Sequence, residues 1–479
     1  MKFEIRARSL ALIPFILLGC GSPESAPAPP LGEASQPING AQVWTSFGDL
    51  NAPTCTGWMS HLDTNPSGES AVGGWIQSSY LACTITLAVG VVVTASPQDP
   101  PWVARYKATG AALWAKAINL TGSNTWADLG GVAINNATTV VYAVGTQNTP
   151  ANPTIWNKGF LRAYDATTGT LLYTKVFGLS GGHVINAVTV DGSDNIVLVG
   201  NSDGTVDFGG GVRTTSNAIT VVKLDPAGNY LWDRTFDVLP DPSVLNASAT
   251  TVVATASRGQ QGIYVAGEYS GKVDFGAGLV LGNDSMYALG LRPNGTTWWS
   301  NILGNSSGTV KAIRGMSNTV VLGGDHSGSI QFGAFTLLSS SPPDVYLAHL
   351  DATTGVPTWA SGYGGPGSQS MAGFDTSPTT GTLTMAVNFT PTANFGLGTL
   401  GAVSSQDVAL VKLKTPGFPI WQRQIVSSAG NYAAAAGSAM DASGNVYANG
   451  TFDGTADFGS GPVSAGAVPP RSYFTKRDP

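Results

Sequence analysis

"NIVLVGNSDGTVDFGGGVRTTSNAITVVKLDPAGNYLWDRTF" spans residues 195–236. It holds three apolar runs, "NIVLVG" (195–200), "AITVVKLDPAG" (218–228) and "YLWDRTF" (230–236), and a shorter one, "VINAVTVD" (184–191), precedes them. The runs are β-branched and aromatic, and Gly, Asn, Asp and Pro bound them, which is the pattern of short strands joined by turns. "DPAGN" is tight-turn chemistry, with Asp capping and Gly supplying a positive φ. The stretch therefore predicts four strands, A to D in chain order, with Phe208-Gly209 between B and C.

The unit recurs. Phe208-Gly209, Phe275-Gly276, Phe332-Gly333, Phe395-Gly396 and Phe458-Gly459 stand 67, 57, 63 and 63 residues apart. Around them B-like runs repeat as "GIYVAG" (262–267), "TVVLGG" (319–324) and "NVYANG" (445–450), and C-like runs as "VYLAHLDATTG" (345–355) and "VALVKLKTPG" (408–417). A Trp-centred D strand closes each unit, at Trp114, Trp232, Trp298, Trp359 and Trp421. Two earlier units lack the Phe-Gly pair, and one has Tyr173 in the Trp position. Six complete units are expected over 79–426. Four-stranded units repeated around a ring are the signature of an all-β β-propeller.

The last unit (431–479) supplies A, B and C and then stops. The N-terminal region has spare pieces: Phe47-Gly48, "WMSHLD" (58–63) and a run centred on Trp75. An N-terminal strand is thus expected to close the ring as the missing D, leaving no open edge. Seven blades result; the C-like run at 58–63 leaves eight open.

The same repeats resemble the bacterial seven-bladed β-propeller repeat family of exported, often lipid-anchored proteins, most closely in "DASGNVYANGTFDGTADFGSG" (441–461). "YDATTGTLLY" and "LDATTGVPTW" also resemble the tryptophan-docking repeat of pyrroloquinoline quinone propellers.

Asp207-Phe208-Gly209 spells the magnesium-binding triplet of protein kinases. That site needs one copy, a strand Lys and a catalytic loop. Here the Asp position reads Asp207, Asp274, Gln331, Asn394 and Asp457. These share hydrogen-bond acceptance rather than charge, so they predict loop caps, with Phe packing between blades. The repeated Trp residues could form a sugar-stacking array, but their equivalent places argue for core docking. Four histidines (61, 183, 326, 349) show no zinc spacing, and "DGSDN" (191–195) and "DHSG" (325–328) lack a full calcium ligand series. No metal, cofactor or nucleophile motif is expected.

The chain has 479 residues, 42% hydrophobic and only 11% charged, with a net charge of −6. No Lys/Arg run exists to track a phosphate backbone, which argues against nucleic acid. Lys2, Arg6 and Arg8 precede the apolar "LALIPFILLG" (10–19), too short to span a bilayer, and then Cys20. Leu17-Leu18-Gly19-Cys20 resembles the bacterial lipobox, which implies a leader over 1–19, cleavage, and lipid (palmitate) on Cys20. Cleavage removes Lys2, Glu4, Arg6 and Arg8, a net +2, so the mature chain carries −6 − 2 = −8. Residues 20–40 are Pro/Ala/Ser-rich and read as a tether, with the propeller over 41–479. Gly21-Ser22, without Asp, leans toward an outer-membrane or cell-surface location by resemblance to lipoprotein sorting. Cys55 and Cys83 either pair, as an even count in an exported chain favours, or stand as separate thiols.

The function expected is a non-enzymatic, monomeric binding or scaffolding module for a protein or polysaccharide partner, touching the membrane through its anchor only. The face carrying the B–C inserts is the candidate surface. Its rivals are a quinoprotein-like enzyme and a multivalent lectin-like binder.

Overall fold

The computed structural model describes residues 40–479, apart from short segments at 52–54, 79–82, 88–89, 95–99, 120–125, 149–154, 244–247, 257–261, 304–306, 340, 342, 378 and 467–469. The leader, the tether and Cys20 lie outside the described residues.

Strands pair as antiparallel A-B-C-D meanders, and the described residues make seven of them. Blade 3 is representative: A is Ser180–Val190, B Ile196–Asp207, C Val212–Leu224 and D Tyr230–Phe236. Blades 1, 2, 4, 5 and 6 cover 55–117, 127–177, 248–303, 308–363 and 367–427. Blade 7 takes A, B and C from 433–477 and its D strand from Gln42–Leu50, which pairs with Arg471–Arg477 from Trp44↔Lys476 to Gly48↔Ser472. The A strands touch in order around the ring, and that of blade 7 touches that of blade 1. The chain is a β-propeller closed by its N-terminal strand. Both faces of each sheet are covered by neighbouring blades, so B and C read as continuous apolar runs: Ile196–Gly200 is wholly buried, as is Val345–Leu350.

The N-terminal strands differ from the sequence expectation. The closing D strand is the one holding Phe47-Gly48. "WMSHLD" belongs to Cys55–Thr64, strand A of blade 1, and Trp75 to Ser70–Ser78, strand B. The first complete blade thus starts at 55 rather than 79. The physical reason is that A and C run in the same direction and both end in a tight turn on one face. A run ending in Leu-Asp fits either place. Blade 1 lacks a Phe-Gly pair, yet the hairpin Thr84–Leu87/Val91–Thr94 stands between its B and C strands and pairs with the closing strand at Leu50↔Ile85.

Candidate functional site

The Phe-Gly loops are hairpins, built by their Asp residues. Gly209 and Gly211 donate backbone N–H to Asp207 Oδ1 (2.7 and 3.1 Å), Gly276 and Gly278 to Asp274 Oδ1 (2.7 and 2.9 Å), and Gly459 and Gly461 to Asp457 Oδ1 (2.6 and 3.1 Å). Gly396 donates to Asn394 Oδ1 at 2.8 Å. Gly209 and Gly211 sit at φ 114° and 100°, where a side chain would strain the turn. Gln331 departs from the expected acceptor role: its Nε2 donates to Gly333 O at 2.9 Å. Its longer side chain reaches past the N–H groups, and the blade 5 hairpin is tighter, closing on Phe332↔Phe335. The carboxylates that resembled a metal site are thus filled by backbone donors, which also hold the Asp274 carboxyl below its ordinary pKa.

Each hairpin Phe packs on the D strand of the preceding blade. Phe208 clusters with Phe177, Phe275 with Phe236, Phe332 with Leu303, Phe395 with Tyr363, and Phe458 with Ile425. All five Phe are buried. The outward residues are apolar too: Val212, Leu279, Leu338 and Leu397 are 59, 60, 76 and 47% exposed.

The D-strand tryptophans reach the other way, onto the C–D turn of the following blade. Trp114 Nε1 donates to Ala166 O (2.8 Å), Trp232 Nε1 to Pro293 O (2.8 Å), and Tyr173 OH takes the same place on Pro226 O (3.1 Å). In blade 4 the docking residue is Trp299, on Ala352 O at 2.9 Å, and not Trp298. A bulge between Gly290/Leu291 sets Trp299, rather than its neighbour, in register with Trp232; Trp298 lies under Arg292 at the edge of the core, partly buried. Trp359 lies over Gly417 of the blade 6 turn. Trp44, which the repeat pattern did not single out, docks on Ala108 O (3.1 Å) and carries the series across the closure.

The inner strands share a second device. In every blade one residue of strand A is left unpaired against strand B: Ser60, Gly130, Asn186, Thr250, Lys311, Ala372 and Ala436. Such bulges re-aim the strand, here at the ring axis. They leave backbone N–H groups that the preceding blade's B strand satisfies: Val310 N–H donates to Glu268 Oε1 (2.5 Å), Met371 to Asp325 Oδ1 (2.6 Å), and Ala435 to Asn388 Oδ1 (2.7 Å). A cavity of about 500 Å³ occupies the axis, lined by A strands and including His61, Asp63, Lys311, Arg314 and Asp375. Asp63 Oδ2 accepts from Ile134 N–H (2.9 Å), and Asp375 accepts from Met440 N–H (2.8 Å) and pairs with Arg314 (2.9 Å). Burial raises the Asp375 pKa, and Arg314 opposes it. Burial lowers His61 to about 4, against its bond to Leu129 O (3.0 Å), so it is neutral at pH 7.

Cys55 and Cys83 are joined as a disulfide. It ties the start of blade 1 strand A to the segment leading into that blade's hairpin. Among the described residues no three His, Cys, Asp or Glu side chains gather to hold a metal ion.

No family model matches the chain, and no curated protein does. Among solved structures, the quinohemoprotein alcohol dehydrogenase of Comamonas testosteroni is 12% identical over 92% of this chain and 78% of that one, with a TM-score of 0.41. BamB from Moraxella catarrhalis is 14% identical over 81% and 94%, with a TM-score of 0.34. An ulvan lyase of polysaccharide lyase family PL25 is 9% identical over 83% and 93%, with a TM-score of 0.45. Likenesses this distant carry nothing about chemistry.

Proposed function

We propose that this chain is an exported lipoprotein, anchored through Cys20 and akin to the seven-bladed propeller repeat proteins, whose propeller binds a protein or surface-polymer partner without catalysis. One observation carries the reading. The polar residues that recur from blade to blade close hairpins or bond one blade to the next: Asp207 and Asp274 cap glycines, while Glu268, Asp325 and Asn388 latch the following strand. What remains to vary is a rigid face of hairpins with exposed apolar tips, and exposed apolar surface of this kind marks interaction sites.

Cross-linking on intact cells followed by capture of the chain tests this. A discrete partner is expected with the native protein, reduced when Val212, Leu279, Leu338 and Leu397 are all changed to Ser. Absence of any partner, together with pyrroloquinoline quinone binding in a calcium-supplemented absorbance titration, would replace this reading by the enzyme one. Palmitate labelling should disappear in Cys20→Ala; label that persists refutes the anchor.

A further inference from the structure

Six tryptophans, 44, 114, 232, 299, 359 and 421, sit in the docking series or over its glycines. Trp58 and Trp75 do not. They are direct partners on strands A and B of blade 1, so their side chains share one sheet face. Gly73, two residues before Trp75 and on that same face, points at Leu129 of blade 2. The two indoles therefore stand side by side above the groove between blades 1 and 2, at the end of the sheet where the hairpins emerge. Trp58 is 38% exposed and Trp75 partly so. Neither indole N–H has a partner among the described residues, whereas Trp44, Trp114, Trp232 and Trp299 all use theirs.

The next pair along the same face is Thr56↔Gln77, both exposed. Two aromatic faces are thus flanked by a hydroxyl and a primary amide. The disulfide at Cys55 pins this strand end from the neighbouring position. Among the described residues no docking contact explains these four side chains, and a tryptophan pair with one ring exposed and the other partly so is a costly feature without a ligand.

We infer that Trp58, Trp75, Thr56 and Gln77 form a glycan-binding platform for a β-linked, gluco-configured polysaccharide. Such a sugar ring is itself amphipathic. Its axial C–H groups make an apolar face that stacks on an indole, while its equatorial hydroxyls point to the rim, where Gln77, Thr56 and the free indole N–H groups can bond them. Cross-strand neighbours hold their β-carbons about 5 Å apart, which sets two rings for successive sugars of one chain. This rests on the binding-module reading and names its polymer.

The test is calorimetric titration of the full chain with cellohexaose and chitohexaose. At least one is expected to bind, about tenfold more weakly to the Trp58→Ala/Trp75→Ala double variant, and nearly as well to Trp58→Phe. Trp298→Ala, which removes a partly buried tryptophan of blade 4, should bind as the native chain does. Should the double variant not fold, the native protein still decides: cellohexaose or chitohexaose should slow N-bromosuccinimide oxidation of Trp58 and Trp75, read by peptide mass, and leave Trp298 unaffected. No binding of either sugar, undiminished binding by the folded double variant, or no protection would overturn the inference. If sugar binding fails while cross-linking still captures a partner, the platform is wrong and the binding-module reading stands. If both fail, both are wrong.

Discussion

Two versions of the same turn coexist in this ring. In blade 5 the C–D turn is continuous: Asp351 N–H bonds Val356 O (2.9 Å), Gly355 N–H bonds Asp351 O (2.8 Å), and Trp299 of blade 4 docks over Gly355 and onto Ala352. In blade 7 the turn is assembled from the two chain regions that meet there. Asp478 N–H bonds Ala41 O (3.0 Å), as Asp351 bonds Val356, and Gly40, at φ 80°, takes the place of Gly355 beneath Trp421. The geometry is copied without the covalent link. One bond differs: the buried Trp421 indole N–H has no partner among the described residues, where Trp299 has Ala352 O. Turn geometry, rather than chain continuity, is what a docking tryptophan reads. The closure is held by the backbone ladder of Gln42–Leu50 on Arg471–Arg477 and by Phe47, packed edge-on against Phe452 and Phe458 and covered by Arg471, which also pairs with Asp49 at 2.5 Å.

The sharpest way to break this comparison is to remove the closing strand. Deleting residues 40–50 strips the D strand from blade 7, the Gly40 turn from beneath Trp421 and the Trp44 dock on blade 1. It also exposes the backbone edge of Arg471–Arg477, a template for self-association. The expected outcome is loss of the folded monomer, seen as aggregation in size-exclusion chromatography, with partial rescue by an added peptide of residues 40–50. A soluble monomer with native melting would mean the closure is dispensable. Next in size is Trp299→Ala, which removes a buried ring and leaves Ala352 O unpaired. The loss should be about 3–5 kcal/mol, read by urea unfolding. Trp298→Ala, which removes a partly buried ring that lies under Arg292 at the edge of the core between blades 4 and 5, should cost less, about 1 kcal/mol. Equal losses would undo the assignment of Trp299 as the docking residue.

That pair also marks where the sequence is legible. The repeat, the strand count per blade and the hairpin caps follow from spacing and turn chemistry, since Asp-x-Gly-x-Gly and Asp-x-x-Gly specify backbone conformations directly. Trp298 and Trp299 are adjacent and chemically identical. Their place after the C–D bulge that the blades share decides which faces the next blade, and the one mark of it in the chain is spacing: Trp299 follows Phe275 by 24 residues, as Trp232 follows Phe208. The inner-strand bulges leave no composition mark: Ser60, Gly130, Lys311 and Ala436 share nothing but a backbone position. "WMSHLD" misleads for another reason, because A and C strands end in the same turn chemistry. The Trp58/Trp75 platform was equally hidden. Its two members are 17 residues apart in the chain, and only the register Trp58↔Trp75 makes them a pair.

A smaller effect sharpens the contrast between the turns. A Cβ at Gly355 would come within 2.3 Å of the Trp299 ring, and one at Gly40 within 2.7 Å of Trp421, both at positive φ. Gly355→Ala should therefore cost more than Gly40→Ala. The continuous turn is fixed at both ends, while the split turn can shift away from the ring. Losses of about 2 and 1 kcal/mol are expected, and the reverse order in melting experiments would show that the split turn is the more rigid.

The smallest effect is electrostatic. Asp351 Oδ1 accepts from Thr353 N–H (2.9 Å), Thr354 N–H (2.8 Å) and Thr354 Oγ1 (3.0 Å), and the Thr354 bonds chiefly hold its pKa below the ordinary value. A carboxyl whose pKa is depressed by folding stabilises the fold above its unfolded pKa, about 3.9. That contribution is lost as pH falls through the folded value, because the unfolded chain takes up the proton first. Asn at this position keeps the accepting oxygen and cannot titrate. Asp351→Asn should leave melting at pH 7 almost unchanged, since the group is exposed and solvent screens it. It should flatten the decline in stability below about pH 4. An unchanged acid slope in the variant would mean that the Thr354 bonds form equally in the unfolded turn, making this continuous turn a local structure that exists before the tryptophan docks on it.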